Sequence, residues 1–146
     1  MNQQQFKRPE SVLVVIYTET GKVLLLERVT PAGFWQSVTG SLHWDEQPLQ
    51  AAEREVAEET GLQTSGDLID CHTVNRYAIL PAWRDRFAPH VTSNTEHVFR
   101  ISYPSCPRIC IDCREHRGYR WLSKDKAVLG ASSHTDREAI LRHVPG

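Results

Sequence analysis

The stretch from Gly40 to Leu62, GSLHWDEQPLQAAEREVAEETGL, decides how this chain folds. Pro48 stands where a first helical turn tolerates a missing N–H, and Gly61 stands where a helix closes in the left-handed conformation. Nothing between them breaks a helix, so one is expected over Pro48 to Thr60. Leu49, Ala52, Val56 and Thr60 fall on one stripe, read as the core side. Glu55, Glu58 and Glu59 span about 100 degrees of another face. Like charges at that spacing repel by roughly 0.7 kcal/mol per pair in water, and by about 3 kcal/mol at an effective dielectric near 20. That face carries no cation of its own in this reading, so something positive is expected to occupy it. Carboxylate oxygens suit Mg2+, with Mn2+ as an alternative, and such ions keep coordination positions for water and phosphate oxygens.

Working outward, Ser11 to Thr18 and Val23 to Arg28 are apolar, β-branched runs around a Gly turn, which predicts a buried hairpin. Trp35 to Thr39 reads as a short strand feeding Gly40, after a loop holding Pro31 and Gly33. Beyond the helix, strands are expected over Leu68 to Ile79, Thr95 to Tyr103, Arg108 to Asp112 and Tyr119 to Leu122, with a closing helix around Ser133 to Arg142. Pro81 to Asn94 is a long loop rich in Arg, Pro and aromatic residues, a length that marks functional loops. No repeat or linker interrupts the pattern, so residues 1–146 read as a single α/β domain.

The spacing of the central stretch resembles the Nudix box, G-x5-E-x7-R-E-U-x-E-E-x-G-U with U apolar. Gly40, Glu46, Arg54, Glu55, Val56, Glu58, Glu59, Gly61 and Leu62 match every specified position. Average residue usage puts a chance match at a given start on the order of one in a billion. The resemblance implies an α/β/α sandwich with a mixed sheet and a loop-helix-loop site, hydrolysing a nucleoside-diphosphate-type anhydride with a divalent metal. It implies Glu55, Glu58, Glu59 and the Thr39 carbonyl as metal ligands, with Gly40, Glu46 and Gly61 in support. Arg54 is implied beside them, orienting the carboxylates through bidentate hydrogen bonds or taking part in catalysis. Glu58, Glu59 and Glu115 are the candidate catalytic carboxylates, and the pattern leaves open which is the general base. Glu115 reads as an extra ligand, as that base, or as half of a surface salt bridge.

The likeness extends over nearly the whole chain toward the bacterial branch of that family acting on a pterin triphosphate. It is carried by Lys7 to Pro9, Phe34 to Ser41, Ile69 to Cys71, Arg86 to Pro89, Asn94 to Glu96, and Glu115 to Leu122. It implies cleavage of dihydroneopterin triphosphate to the monophosphate and pyrophosphate, a step toward folate. Trp35, Gln36, Ser37, Asn94 and Glu96 would read the ring, with Trp35 either stacking on it or packing in the core. Arg84 and Arg86 would meet the triphosphate or remain solvated. A house-cleaning hydrolase of (deoxy)nucleoside triphosphates is the second reading, and a catalytically silent ligand-binding module the third.

Composition bounds these readings. Seventeen basic and eighteen acidic side chains leave a net charge of −1, which gives no field to gather nucleic acid or an anionic membrane. The partner expected is a small triphosphate, with no nucleic acid and no membrane. The longest apolar runs fall far short of a membrane span, and four cysteines with no leader-like start point to reduced thiols and the cytoplasm. Cys106, Cys110, Cys113 and His116 nominally offer four zinc ligands, at a spacing unlike familiar zinc knuckles. Oligomeric state has no sequence signature here.

Overall fold

The computed structural model describes residues 6–146. Strands β1 (Glu10–Thr18), β2 (Lys22–Arg28), β3 (Trp35–Gln36) and β4 (Val38–Ser41) precede helix α1 (Pro48–Thr60). Then come β5 (Ile69–Ala78), a 3-10 turn over Pro81–Arg86, β6 (Ser93–Tyr103), β7 (His116–Ser123), α2 (Lys124–Gly130) and α3 (His134–His143). Among the described residues the strands join in one mixed sheet. Its path is β3-β2-β1-β6-β5, with β4 on β1 and β7 on β2. β1 runs parallel to β6 and antiparallel to β4 and β2.

β1 is apolar throughout because both its faces are covered, as in any strand buried at the centre of a layered fold. Val12, Val14 and Ile16 pack with Val56, Ala51 and Ala52 of α1 on one side. Leu13, Val15 and Tyr17 pack with Ala127 of α2 and Ala139 and Ile140 of α3 on the other. This is an α/β/α sandwich, and it sets α1 against one face of the sheet. No helix among the described residues is long and apolar enough to cross a membrane.

Several expectations change in the folded chain. The β1–β2 hairpin is joined at a single register pair, Tyr17 with Val23, because β1 gives its edges to β4 and β6 while β2 pairs with β7 and β3. The strand expected over Trp35 to Thr39 is broken at Ser37, whose N–H and hydroxyl both donate to Asp136, at 2.7 and 2.8 Å. Arg108 to Asp112 is not a strand: the Cys110 N–H donates to the Thr60 carbonyl at the end of α1, and Ile109 enters the core beside that helix. α2 was not expected, since its KDKAVLG buries Ala127 alone. Leu49 is 48% exposed, so the buried stripe of α1 is Ala51, Ala52, Glu55, Val56, Glu59 and Thr60. Two of the glutamates therefore lie against the sheet rather than on a solvated face.

Candidate active site

α1 begins after Gln47, with Pro48 in its first turn, and ends at Gly61, whose φ of 73° is the left-handed closure that favours glycine. At its upper end, Gly40 of β4 presses on the helix: a methyl on Gly40 would overlap the carboxylate of Glu55. With glycine there, the carboxylate lies against the strand backbone where a larger residue would displace it.

Arg54 supplies the cation that the helical pattern alone seemed to lack. Its Nε and one terminal nitrogen donate to the two carboxylate oxygens of Glu46, at 2.8 and 2.9 Å. The other terminal nitrogen donates to Glu55 at 2.6 Å and to Glu58 at 3.2 Å. The Ser41 carbonyl accepts a further bond at 3.1 Å. This fork binds loop, strand and helix together, and the Arg54 bonds hold the Glu46 carboxyl down to about 2. Arg54 thereby ties Glu46 of the loop to Glu55 and Glu58 of the helix.

Glu59 sits behind the fork, 1% exposed, and its Oε1 has no hydrogen-bond partner. Burial first, and then Glu55 and Glu115 nearby, push its carboxyl well above the usual carboxylate range. His116 stands 3.7 Å from Glu59, too far to hydrogen-bond, and burial pushes its imidazole down to about 4, so it is neutral. Its Nε2 is 3.3 Å from the Gln36 amide nitrogen. Glu58 is exposed on the same helix, and Glu115, also exposed, faces Glu55 and Arg54 across the same hollow.

Among the described residues no three His, Cys, Asp or Glu side chains form a ready-made coordination shell. The chemistry of the set nonetheless fits a hard cation. A buried carboxylate oxygen with no partner, flanked by two more carboxylates, is costly unless positive charge meets it. Glu55, Glu58, Glu59 and Glu115 could supply oxygen ligands for a divalent ion, with Thr39 at the edge of the same hollow. Cys106, Cys110 and Cys113 are exposed, whereas His116 is buried against Gln36, so the four are not gathered around one point.

Two cavities meet beside this helix. One, of about 700 Å³, is lined by Glu55, Arg54, Glu115, Trp44, His43 and Arg114 among others. The second, of about 470 Å³, is walled by Phe34, Leu80, Trp83 and Phe87, with Asn94, Glu96 and Asp136 among its buried polar members. Lys7, Arg28, Gln36, Thr39, Gly40, Ser41 and Arg86 belong to both. Burial, then the charges of Arg86 and Arg28, press the Lys7 amine below its ordinary value. Three crowded cations between an aromatic hollow and a carboxylate helix form a place for an anion.

The sequence-predicted ring contacts divide accordingly. Gln36, Asn94, Glu96 and Arg86 line the aromatic cavity. Ser37 lies behind its wall, bound to Asp136. Trp35 packs at the second core cluster, 5.0 Å beneath the Arg120 guanidinium, because successive strand residues alternate faces and Gln36 takes the inward one. Arg84 is outside the lining, carried away by the 3-10 turn that brings Trp83 and Arg86 in. Trp83 takes the aromatic role, edge-on to Phe34 at 5.7 Å and 5.4 Å from the Arg28 guanidinium. Lys7, Arg28, Phe34, Trp83 and Asp136 were not singled out as site residues. The density of Arg and aromatic residues in the long loop was the signal that could have found Trp83.

Comparison with known proteins agrees with this geometry. Residues 7–143 match the NUDIX domain model. The chain is 40% identical to the dihydroneopterin triphosphate diphosphatase of Escherichia coli K12 over 148 residues, covering 99% of this chain and 97% of that protein. It is 38% identical to the enzyme of that name from Haemophilus influenzae, covering 96% and 90%. The solved E. coli dihydroneopterin triphosphate pyrophosphohydrolase superposes with a TM-score of 0.89 at 41% identity, over 95% of this chain and 97% of that one. A box matched at every position, a carboxylate helix held by an arginine fork, and these near-full-length likenesses make this chain a member of the Nudix hydrolase family.

Proposed function

We propose that this hydrolase cleaves dihydroneopterin triphosphate to dihydroneopterin monophosphate and pyrophosphate, acting as one domain in the cytoplasm on the way to folate. The observation that carries the reading is the pair of joined cavities. A bicyclic ring fits the aromatic hollow, a phosphate chain crosses Lys7, Arg28 and Arg86, and its far end reaches the glutamates of α1. The two named relatives, aligned over nearly their whole length, support the same substrate.

Glu55, Glu58 and Glu59, with the Thr39 carbonyl and Glu115, would hold Mg2+, with Mn2+ as an alternative. When bound, a divalent ion neutralises charge on phosphate oxygens and lowers the pKa of a coordinated water. The chain supplies the rest. Arg54 fixes the direction of Glu55 and Glu58 through its fork. Glu115 or one of the helix glutamates takes the proton of the attacking water. Release of pyrophosphate places the broken bond between the α and β phosphorus atoms. Trp83 and Phe34 flank the ring and keep water from that side.

A panel of dihydroneopterin triphosphate and the standard dNTPs, run with Mg2+ and read for pyrophosphate against orthophosphate, tests this. The pterin should exceed every dNTP in kcat/KM by at least roughly tenfold, about 1.4 kcal/mol. A dNTP turned over equally well would make this a house-cleaning hydrolase instead.

A further inference from the structure

Arg8 takes no part in the steps above, yet its guanidinium is engaged four times within the protein. Its Nη1 donates to three main-chain carbonyls of the loop before α1: His43 at 3.0 Å, Trp44 at 3.3 Å and Glu46 at 3.0 Å. Two hydrogens serve three acceptors, so one of them is shared. Nη2 donates to Glu10 Oε1 at 2.7 Å, and the other Glu10 oxygen stands 2.6 Å from His97 Nε2. Partial burial pulls the Glu10 carboxyl up, but the His97 and Arg8 bonds outweigh it and hold it below its ordinary value. Glu10 is therefore ionised at neutral pH and His97 is the donor. The Arg8 and Glu10 side chains are only 23% and 26% exposed, which shields the pair more than an ordinary surface one.

Both ends of this chain of contacts are set by the fold. Glu10 opens β1 and His97 lies on β6, and the parallel register holds Glu10 beside Thr95 and Val12 beside His97. At the other end the loop closes on itself: the Glu46 N–H donates to the His43 carbonyl at 3.0 Å, and the His43 N–H to Glu46 Oε1 at 3.0 Å. The same Glu46 carboxylate takes two bonds from Arg54, whose remaining nitrogen aims Glu55 and Glu58. Three carbonyls converging on one point repel one another unless a cation meets them, so the loop depends on Arg8 for its shape. We propose that Arg8 is a positioning residue of this hydrolase: anchored on β1 through Glu10, it clamps residues 43–46 so that Glu46 meets Arg54, and through Arg54 it sets the glutamates of α1.

Arg8 also borders the larger cavity, but with Nη1 on the loop carbonyls and Nη2 on Glu10 it acts on the loop rather than on a phosphate. The segment that carries it is held by bonds that the guanidinium does not make. The Lys7 N–H donates to the Arg86 carbonyl at 2.8 Å, the Trp44 Nε1–H to the Phe6 carbonyl at 3.0 Å, and the Thr95 N–H to the Pro9 carbonyl at 3.1 Å. Changing Arg8 therefore leaves Lys7 in place and loosens the loop. Lysine keeps the charge, but an ammonium is a single point and cannot span Glu10 and the carbonyls at once.

The inference rests on the α1 carboxylates being the metal site of the proposed function, and its first readout needs neither metal nor substrate. In Arg8→Lys with chelator present, amide hydrogen exchange over residues 42–47 should quicken at least about tenfold, while β1 and α1 stay within about twofold of wild type. Unchanged exchange in the loop overturns the clamp. With Mg2+ and the triphosphate that wild type turns over fastest, kcat should fall about tenfold and KM move less than about threefold. A risen KM with kcat intact would make Arg8 a substrate contact and overturn the inference. On an Arg54→Lys background the same change should cost less than about threefold more, because members of one chain of contacts do not act independently. Losses that simply multiply overturn it too. Glu10→Ala, which cuts the anchor on β1, should quicken the same loop about threefold, and no change there would remove Glu10 from the relay. Failure of the substrate reading is told apart: if dihydroneopterin triphosphate proves a poor substrate while loop exchange and kcat respond as stated, the pterin assignment falls and the clamp stands.

Discussion

Gly40 and Glu55 are locked together by a missing atom: the strand backbone at Gly40 occupies the space beside the Glu55 carboxylate so closely that any Cβ would overlap it. The Glu55 carboxylate thus fills the space that a Cβ at position 40 would take. Gly40→Ala must push the carboxylate aside or move the strand. Because Glu55 also receives the 2.6 Å bond from Arg54, the displacement propagates into the fork. Turnover should fall at least about tenfold with the sheet intact, since misplacing a positioned group by a fraction of an ångström suffices for that. Steady-state rates together with circular dichroism check it, and wild-type turnover in the alanine variant would contradict it.

Arg54 holds Glu46 with one side of its guanidinium and Glu55 with the other, a geometry an ammonium cannot copy. Arg54→Lys keeps the charge and loses the fork. Its kcat should drop roughly 10- to 100-fold, the usual cost of removing a group that orients metal-site carboxylates. Glu46→Gln should be milder, since the amide oxygen still accepts one of the two bonds. If Arg54→Lys retained full kcat, charge alone and not orientation would be the residue's contribution.

These two relationships also mark what could be read from the chain. The helix, its glycine closure and the glutamate spacing were legible because each is a local property: Pro48, Gly61 and the 3.6-residue period act within a few turns. The burial of Glu59 was not, since a helical wheel gives angles without saying that β1 and β4 would cover that side. Leu49 failed for the same reason, an apolar residue at the helix start with no sheet above it. The pairing of Trp83 with Phe34 and Arg28 depends on how a long loop folds back, and no periodicity encodes that. The break at Ser37 is tertiary as well. Its N–H leaves the strand ladder for a carboxylate on α3, ninety-nine residues away in sequence.

That carboxylate, Asp136, gives a pH-dependent prediction. It is fully buried, and burial pushes its pKa up from 3.8 to about 6, against the two bonds from Ser37. A raised carboxyl pKa means the folded state favours the neutral form. Its contribution is therefore fully present below pH 3.8 and is lost as pH rises through about 6. The span corresponds to about 3 kcal/mol. Asp136→Asn cannot ionise, so the Tm of the variant should gain on wild type between pH 4 and pH 7. A constant Tm difference across that range would show that Asp136 does not titrate within it.

Glu59 and Glu58 should part company when each is changed to Gln. Glu59 is buried with an unpartnered oxygen, so removing its charge relieves a desolvation cost, whereas Glu58 is exposed and its removal relieves little. In the presence of a chelator, Glu59→Gln should melt at or above the wild-type temperature, by up to about 2 kcal/mol of added stability. Glu58→Gln should melt within about 0.5 kcal/mol of wild type. Both should lose most Mg2+-dependent turnover. A Glu59→Gln protein that melts well below wild type in chelator would mean that Glu59 is stabilised in the fold by contacts other than a cation.

Glu115 carries the last prediction because its position is the least constrained by the fold. It is exposed at the entry to β7, and its backbone carbonyl accepts from the Val29 N–H at 2.9 Å, which fixes the chain there without fixing the side chain. No ion pair ties its carboxylate among the described residues, although Arg114 beside it binds Asp112 at 3.0 Å. A surface salt bridge is therefore not its role in this arrangement. What it does face is Glu55 and Arg54 across the larger cavity, and it is one of the charges that raise Glu59. A solvated carboxylate facing the helix across the cavity can take a proton or complete a ligand set after substrate arrives. Glu115→Gln should lower kcat at least about tenfold while KM moves less than about threefold, as expected of a group used in the chemical step. A parallel rise in KM with kcat intact would instead make it a substrate-binding residue, and no change in either would leave the helix glutamates to do the work alone.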